Sequence, residues 1–231
     1  PALFPQKLPQ KLINLYTKKN GELILDPFMG IGSTLLGSMN SGVKSIGLDL
    51  NKSYVSLAKK RIKNYQKDLV NEKKVYEPKV ICDDSKNLLK YVKKESVDLA
   101  ITSPPYWNIL NQKRTADFKE IRTYSKSKKD LGNIEDYEKF LESLKQVFSK
   151  VYDSLKFNKR CISVVMDIRK KDKFFPLHED QTRIMKEIGF ELEEYVIWDR
   201  QLDYNNMKTL GYPWVFRFNK VHEFICIYWK R

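Results

Sequence analysis

The sequence predicts a doubly wound α/β fold, a mostly parallel sheet of seven strands with helices on both faces. Short apolar runs alternate with longer segments of helical spacing. Strand, helix and strand in succession imply right-handed crossovers and parallel pairing. The first strand also runs into a glycine-bearing turn, the place where such sheets meet their ligands.

The elements follow in order. "ELILD" (22–26) reads as a strand ending at an Asp-Pro, and "STLLGSMNSG" (33–42) as a helix stopped by Gly42. "VKSIGLDL" (43–50) is the second strand, and "KSYVSLAKKRIKNYQKDL" (52–69) a long polar helix. "PKVICDD" (78–84) and "SVDLAIT" (96–102) are the third and fourth strands. "IEDYEKFLESLKQVFSKVYDSL" (134–155) carries apolar residues at helical spacing, and "RCISVVMDI" (160–168) follows as the fifth strand. "HEDQTRIMKEIGF" (178–190) is a helix, and "ELEEYVIWD" (191–199) and "HEFICIYWK" (222–230) complete the strands. There is no repeat and no low-complexity segment.

With 231 residues, 42% of them hydrophobic, the chain suffices for one sizeable core, and a single domain over 1–231 is expected. A net charge of +14 gives a field that attracts polyanions, nucleic acid first and acidic membrane surfaces second, although a general lysine bias explains it equally well. Cys82, Cys161 and Cys226 lie in apolar runs without CxxC spacing and read as reduced core residues of a cytoplasmic protein. No apolar run approaches the ~20 residues of a membrane span, and the N-terminus has no signal-peptide pattern. The chain starts at Pro1 without a methionine, which leaves room for residues upstream.

The first motif with chemistry is "LILDPFMGIGSTLLG" (23–37). Gly30 and Gly32 make the strand-to-helix turn, and the helix after it offers free N–H groups. Asp49 ends the next strand about 20 residues on, where an acceptor for ribose hydroxyls is expected, and Asp83 and Asp84 end the third. With neither GxGxxG nor a Walker lysine, the pattern fits a nucleoside cofactor bearing a carboxylate rather than a diphosphate. Each acid alone also suits an N-cap of the following helix. The second motif, "TSPPYW" (102–107), stops the fourth strand with two prolines and leaves Tyr106 and Trp107 at its end.

"DPFMGIGST" followed by "TSPPYW" resembles the S-adenosylmethionine-dependent DNA amino methyltransferases, which modify the exocyclic amine of cytosine or adenine. The likeness extends to "ALFPQKLPQKLI" (2–13), similar to the segment that folds over the methionine end of the cofactor, and to "GYPWVFRFNKVHEFICIYWK" (211–230), similar to the closing strand region. It implies a Rossmann-like methyltransferase sheet and S-adenosylmethionine as cofactor, with no metal. The implied cofactor-binding residues are Phe4, Pro5, Asp26, Phe28, Gly30, Gly32, Ser33, Thr34, Asp49, Asp84 and Ser85. The implied catalytic residues are Ser103, Pro104, Pro105 and Tyr106.

An exocyclic amine is a poor nucleophile because its lone pair is delocalised into the ring. Acceptors at the Ser103 side chain and the Pro104 carbonyl would bind the amine hydrogens and turn that lone pair toward the methyl group. The prolines keep these acceptors out of sheet pairing. Tyr106 would stack on a base flipped out of the duplex, while Trp107 suits either a place beside it or the core. A serine at the first motif position is associated in the family with cytosine-N4, aspartate or asparagine with adenine-N6.

Rival chemistries lack their residues. Methylation at a cytosine ring carbon needs a cysteine after a proline, and zinc-dependent base chemistry needs clustered ligands that His178 and His222 do not supply. His222 beside Glu223 suggests an acid–base pair, but neighbours in a strand point to opposite faces, so a structural role is expected.

DNA contacts are expected from two aperiodic segments, 108–133 and 200–220. The first holds Lys113, Arg114, Lys119, Arg122, Tyr124, Lys126, Lys128 and Lys129, suited to phosphates and bases, or to a solvated loop. The second holds Arg200, Tyr204, Asn205 and Asn206, which suit base edges. The cofactor motif precedes the catalytic one, the reverse of many SPPY relatives, and no separate target-recognition region of domain size is visible. Specificity is then short, relaxed or supplied by a partner, a restriction endonuclease among them. An RNA methyltransferase acting on guanine or adenine amines is the next reading, and a non-catalytic methyltransferase-like subunit the one after.

Overall fold

The computed structural model describes residues 5–18, 21–68, 75–109, 127, 130–170, 172–202, 209–210 and 217–231. Helix α1 (Lys7–Tyr16) comes first, then strand β1 (Leu23–Asp26), α2 (Ser33–Ser41), β2 (Lys44–Asp49), α3 (Lys52–Asp68) and β3 (Lys79–Cys82). After β3 a 3-10 helix, Ser85–Lys90, makes the crossover to β4 (Val97–Thr102). Helix α4 (Tyr137–Ser154), β5 (Leu155–Val165), α5 (Leu177–Ile188), β6 (Glu191–Asp199) and β7 (His222–Lys230) complete the fold.

The seven strands lie in the order β3-β2-β1-β4-β5-β7-β6. All neighbours are parallel except β7, which runs antiparallel to β5 and β6. The chain winds outward from β1 to β3 and then returns to β4 on the other side of β1, so the switch point lies between β1 and β4.

Both faces of the central strands are buried, and their alternate residues serve opposite cores, whereas the edge strand β6 is largely exposed. Ile24, Leu99, Ile101, Ile162, Val164, Ile225 and Ile227 join Leu12 and Ile13 of α1. Leu25, Ala100, Cys161, Val165, Cys226 and Tyr228 join Phe140, Leu144, Phe148 and Val151 of α4. Helices α2 and α3 share a third cluster around Leu35, Met39, Val55 and Ile62.

Two glycines set close approaches. Gly32 caps α2 at φ +84°, a left-handed conformation that ordinary side chains resist, and a Cβ there would sit 3.2 Å from Ala58 Cβ. At Gly47, in β2, a Cβ would lie 2.7 Å from Met29 Sδ, 2.9 Å from Met29 Cβ and 3.0 Å from Leu35 Cδ1. Gly47→Ala should therefore destabilise the fold by about 1–3 kcal/mol through overpacking beneath the turn. Urea unfolding measures this; an unchanged midpoint would show that the turn relaxes freely.

Three expectations need correction. Strand β5 starts at Leu155, five residues before the apolar run that suggested it. Its polar opening is held by Lys156 Nζ and Lys159 Nζ at 2.8 and 3.3 Å from Asp98 Oδ1, by Lys159 on Glu22 at 3.1 Å, and by a register shift opposite Val97–Leu99. Cys82 is exposed at the end of the sheet-edge strand β3, whereas Cys161 and Cys226 are buried; all three are free thiols. The segment 200–220 also contains order, since Arg217–Phe218 pairs antiparallel with Thr209–Leu210. A further hairpin, Ile168–Lys170 with Lys173–Phe175, follows β5.

Candidate active site

The site is built where β1 and β4 end side by side. Thr102 Oγ1 donates to Asp26 Oδ1 at 2.7 Å, tying the two strand ends together, and Phe28 N–H donates to the same oxygen at 3.1 Å. Asp26 is 3% exposed, and burial pushes its carboxyl up to about 6 despite these hydrogen bonds. The turn after β1 is fastened to the second strand: Met29 N–H donates to Leu48 O at 2.9 Å and Gly30 N–H to Asp49 Oδ2 at 2.9 Å. Gly30 and Gly32 have φ +53° and +84°, and Ser33 and Thr34 are buried in the first turn of α2. Arg61 of α3 braces the turn through Ile31 O at 2.6 Å.

Asp49 ends β2, is 5% exposed, and accepts from Asn51 N–H at 2.8 Å as well as from Gly30. Its carboxyl is pushed up to about 7, first by burial and then by the negative charges of Asp26 and Asp130. Past β3, Asp83 accepts from Tyr91 Oη at 2.7 Å and from Asn87, bonds that hold its carboxyl below the usual range. Asp84 caps the 3-10 helix by accepting Lys86 N–H at 2.9 Å, and the Ser85 hydroxyl donates to Pro27 O.

These ends line a cleft open to solvent. Of the residues expected from sequence, Phe28, Asp49, Asp84, Ser85, Ser103 and Pro105 line it. Asp26, Gly30, Gly32, Ser33 and Thr34 form the strand end, turn and helix start that carry Phe28. Pro104 is buried beside the lining residues. Pro5 is exposed before α1, its carbonyl accepting from Leu8 N–H at 3.0 Å, and is not among the lining residues. Phe4, Lys113, Arg114, Lys119, Arg122 and Tyr124 lie outside the described residues, as do Lys126, Lys128, Lys129, Tyr204, Asn205 and Asn206.

The catalytic motif turns at the end of β4. Ser103 Oγ lies 3.1 Å from Tyr106 Oη, and Tyr106 Oη lies 2.9 Å from Glu223 Oε2 on β7. Arg200, expected as a DNA contact, forms an ion pair with the other oxygen of Glu223; its side chain is 10% exposed and lies over the Trp198 ring at 4.5 Å. Trp107 takes the core option, donating Nε1–H to Ile134 O at 2.8 Å and packing edge-on against Tyr137 and Phe175. His222 and Glu223 do not form a pair: His222 packs on Phe224, and Glu223 faces Tyr106.

Sequence reasoning missed Leu50, Asn51, Asp130 and Leu131 on the cleft wall, and it gave Glu223 a structural role without its contact to Tyr106. Asp130 is buried on the cleft wall and caps the short 3-10 helix Leu131–Asn133 by accepting Gly132 N–H at 2.8 Å. The Asp-x-Gly spacing of "DLGN" signals that cap, although nothing in it points to the cleft.

The chemistry of the lining selects a ligand class. Asp49, Asp84 and Asp130 repel a diphosphate and suit a ligand rich in hydroxyl and ammonium donors, and Phe28 and Leu131 offer apolar faces to a ring. S-adenosylmethionine has those features. Among the described residues no group of three or more His, Cys, Asp or Glu is placed to hold a metal ion, and no helix is long and apolar enough to cross a membrane.

Comparison with known proteins agrees with this geometry. A family pattern described as DNA methylase, of N6/N4 methyltransferases, matches residues 1–60 and 97–231. The orphan methyltransferase M.BamHII of Bacillus amyloliquefaciens is 40% identical over 65 residues, 28% of this chain and 24% of that protein. A tRNA (guanine(10)-N2)-dimethyltransferase of Methanocaldococcus jannaschii is 31% identical over 133 residues, 57% of this chain and 36% of the relative. This chain thus matches well under two thirds of either protein. A solved SAM-dependent methyltransferase from Methanosarcina mazei superposes over 95% of this chain and 96% of its own with a TM-score of 0.59 at 14% identity, a likeness of fold alone. With the family pattern covering both the glycine turn and the Ser-Pro-Pro-Tyr strand end, the chain belongs to the DNA methylase family, the S-adenosylmethionine-dependent amino methyltransferases of the N4/N6 type.

Proposed function

We propose that this protein methylates the N4 amino group of cytosine in DNA, using S-adenosylmethionine, on a base turned out of the duplex. The observation that carries the reading is the placement of Ser103 and Pro105 on the same cleft wall as Phe28, Asp49, Asp84 and Ser85. The cofactor supplies a methyl group on a positively charged sulfur, so the nitrogen that receives it must offer a localised lone pair.

The residues divide that work. Asp49 accepts ribose hydroxyls, and Asp84 and Ser85 bound the adenine end with Phe28 against the ring. Gly30 and Gly32 let the backbone approach, while Asp26 fixes the turn that carries Phe28, with Ser33 and Thr34 behind it. Phe4 and Pro5 are assigned to the methionine end. Ser103 Oγ and the Pro104 carbonyl accept the amine hydrogens, Pro105 holds the bend rigid, and Tyr106 stacks on the base. Serine at position 103 favours cytosine-N4, with adenine-N6 as the alternative on DNA. The segments 108–133 and 200–220 supply the DNA contacts within a single domain. The net charge of +14 draws the polyanion in, and the cytoplasm supplies both substrate and cofactor. A restriction endonuclease or specificity subunit is the partner such an enzyme would have.

A second reading is favoured by the tRNA (guanine(10)-N2)-dimethyltransferase match, which covers more of the chain than the M.BamHII match. Guanine N2 is also an exocyclic amine and asks the same of Ser103 and Pro104.

One experiment separates these readings. The protein is incubated with methyl-labelled S-adenosylmethionine and either duplex DNA or tRNA, and the digested nucleosides are identified by mass spectrometry. Labelled N4-methyl-2′-deoxycytidine from DNA is the expected result. N6-methyladenine keeps the site and changes the base, label on tRNA alone moves the protein to the second reading, and no transfer to either overturns the enzyme.

A further inference from the structure

Glu223 lies across the sheet from the glycine turn, and the established family features give it no task. It stands at the start of β7, and because β7 is antiparallel its first residues reach the carboxyl edge where β4 and β5 end. The side chain is 2% exposed, yet both carboxylate oxygens are engaged: Oε1 by Arg200 and Oε2 by Tyr106 Oη at 2.9 Å. A buried charge is costly without a partner, so a chain that places one behind its catalytic motif must also bring Arg200 to it.

We infer that Glu223 is a positioning residue: with Arg200 it fixes the direction of the hydrogen bonds through Tyr106 to Ser103 and turns the Ser103 lone pairs toward the substrate amine. This rests on the amine-transfer reading of the site. The direction follows from donor counting. As the carboxylate of an ion pair, Glu223 can only accept. Val164 O, a further acceptor 3.4 Å from the phenol oxygen, can only accept as well. With a carboxylate oxygen 2.9 Å away, the phenolic proton is directed to such an acceptor and not to Ser103. Were it given to Ser103 instead, two oxygens 2.9 Å apart would face each other without a proton between them.

Tyr106 Oη must then receive the Ser103 hydroxyl proton across their 3.1 Å contact. With that proton directed away from the cleft, the Ser103 oxygen presents only lone pairs to it. An amine hydrogen meets an acceptor there, whereas a ring nitrogen or carbonyl, itself an acceptor, meets repulsion. The relay thus selects a base edge that carries an NH₂ group and holds it before any lone-pair reorganisation begins.

Glu223→Gln tests the direction with almost no change of volume. Arg200 offers only donors, so it turns the amide oxygen of residue 223 toward itself and leaves the NH₂ group facing Tyr106. The phenol must then accept from the amide and donate to Ser103, and the Ser103 proton is driven into the cleft against the amine hydrogens. The expected result is a fall in kcat on the order of 100-fold with cofactor affinity and substrate KM unchanged, while the thermal midpoint falls because buried Arg200 loses its counter-charge. With Tyr106→Phe already in place the relay is cut, and Glu223→Gln should cost nothing further in kcat. Equal losses of kcat in both backgrounds, or full kcat in the single variant, would overturn the proposal.

A second measurement does not depend on turnover. Neutron diffraction from deuterated crystals should show the Ser103 deuteron on the line to Tyr106 Oη and the Tyr106 deuteron toward Glu223 or Val164 O. A Ser103 deuteron pointing into the cleft would sink the idea even in an active enzyme. If the parent protein methylates neither DNA nor tRNA, the amine-transfer reading falls, and the deuteron positions alone decide the relay.

Discussion

Ser103→Ala should lower the rate of methyl transfer on the order of 100-fold to 1,000-fold while leaving cofactor affinity where it was. The two expectations separate because the serine hydroxyl has different partners at different stages. Ser103 lines the same cleft as Phe28, Asp49, Asp84 and Ser85, but the cofactor role is assigned to those four. The hydroxyl oxygen matters when the amine gives up conjugation with its ring, because the hydrogens it holds become more acidic as the nitrogen becomes tetrahedral. An interaction that strengthens toward the transition state appears in kcat rather than in ground-state binding. The residual activity comes from the Pro104 carbonyl, which no side-chain substitution removes. Tyr106→Ala should lose as much or more, since it removes both the stacking surface and the partner of the Ser103 hydroxyl. Single-turnover transfer measured beside titration calorimetry with S-adenosylmethionine checks both quantities, and full activity in the serine variant would remove Ser103 from the chemistry.

How much of this was legible in the sequence depends on how far apart the cooperating residues stand. The apolar runs gave the central strands because both faces of those strands are buried, so Ile24 and Leu25 or Ile225 and Cys226 are apolar whichever way they point. The start of β5 was hidden, since Lys156, Asn158 and Lys159 look like a turn until Asp98 and Glu22 are brought beside the lysines. Cys82 was misplaced because an edge strand has one open side that an apolar pattern does not reveal. In the site, the residues at or just beyond the end of a parallel strand could be read one strand at a time, and Phe28, Asp49, Asp84 and Ser103 meet because every such end faces the same edge. Glu223 could not be read that way. Its partner Tyr106 is 117 residues distant, and the strand that carries it runs against the others, so its first residues rather than its last reach the cleft.

Affinity for S-adenosylmethionine should rise steeply with pH up to neutrality and then level off. Burial, with Asp26 and Asp130 adding negative charge, pushes the Asp49 carboxyl up to about 7, so in the unliganded protein it is largely protonated in mild acid. Ribose hydroxyls donate to an ionised carboxylate more strongly than to a protonated one, so the ligand lowers this pKa and binding expels a proton. Below about pH 7 the apparent dissociation constant should therefore weaken by up to about tenfold per pH unit, and above it should be flat. The stability of the free protein has the opposite slope. A carboxyl whose folded pKa is raised binds its proton more tightly folded than unfolded. The unliganded fold is accordingly most stable below the unfolded value of 3.8 and loses that contribution as pH climbs toward about 7. Asp26, raised to about 6 from the same unfolded value, acts in the same direction. Melting curves of the free and the cofactor-saturated protein should thus diverge as pH rises, the ligand restoring what ionisation of the two buried acids removes. Calorimetry in buffers of different ionisation enthalpy counts the expelled proton directly. Asp49→Asn should bind weakly and with little pH dependence; if it kept the parent's dependence, the titrating group would be Asp26, and the ribose role of Asp49 would have to be abandoned.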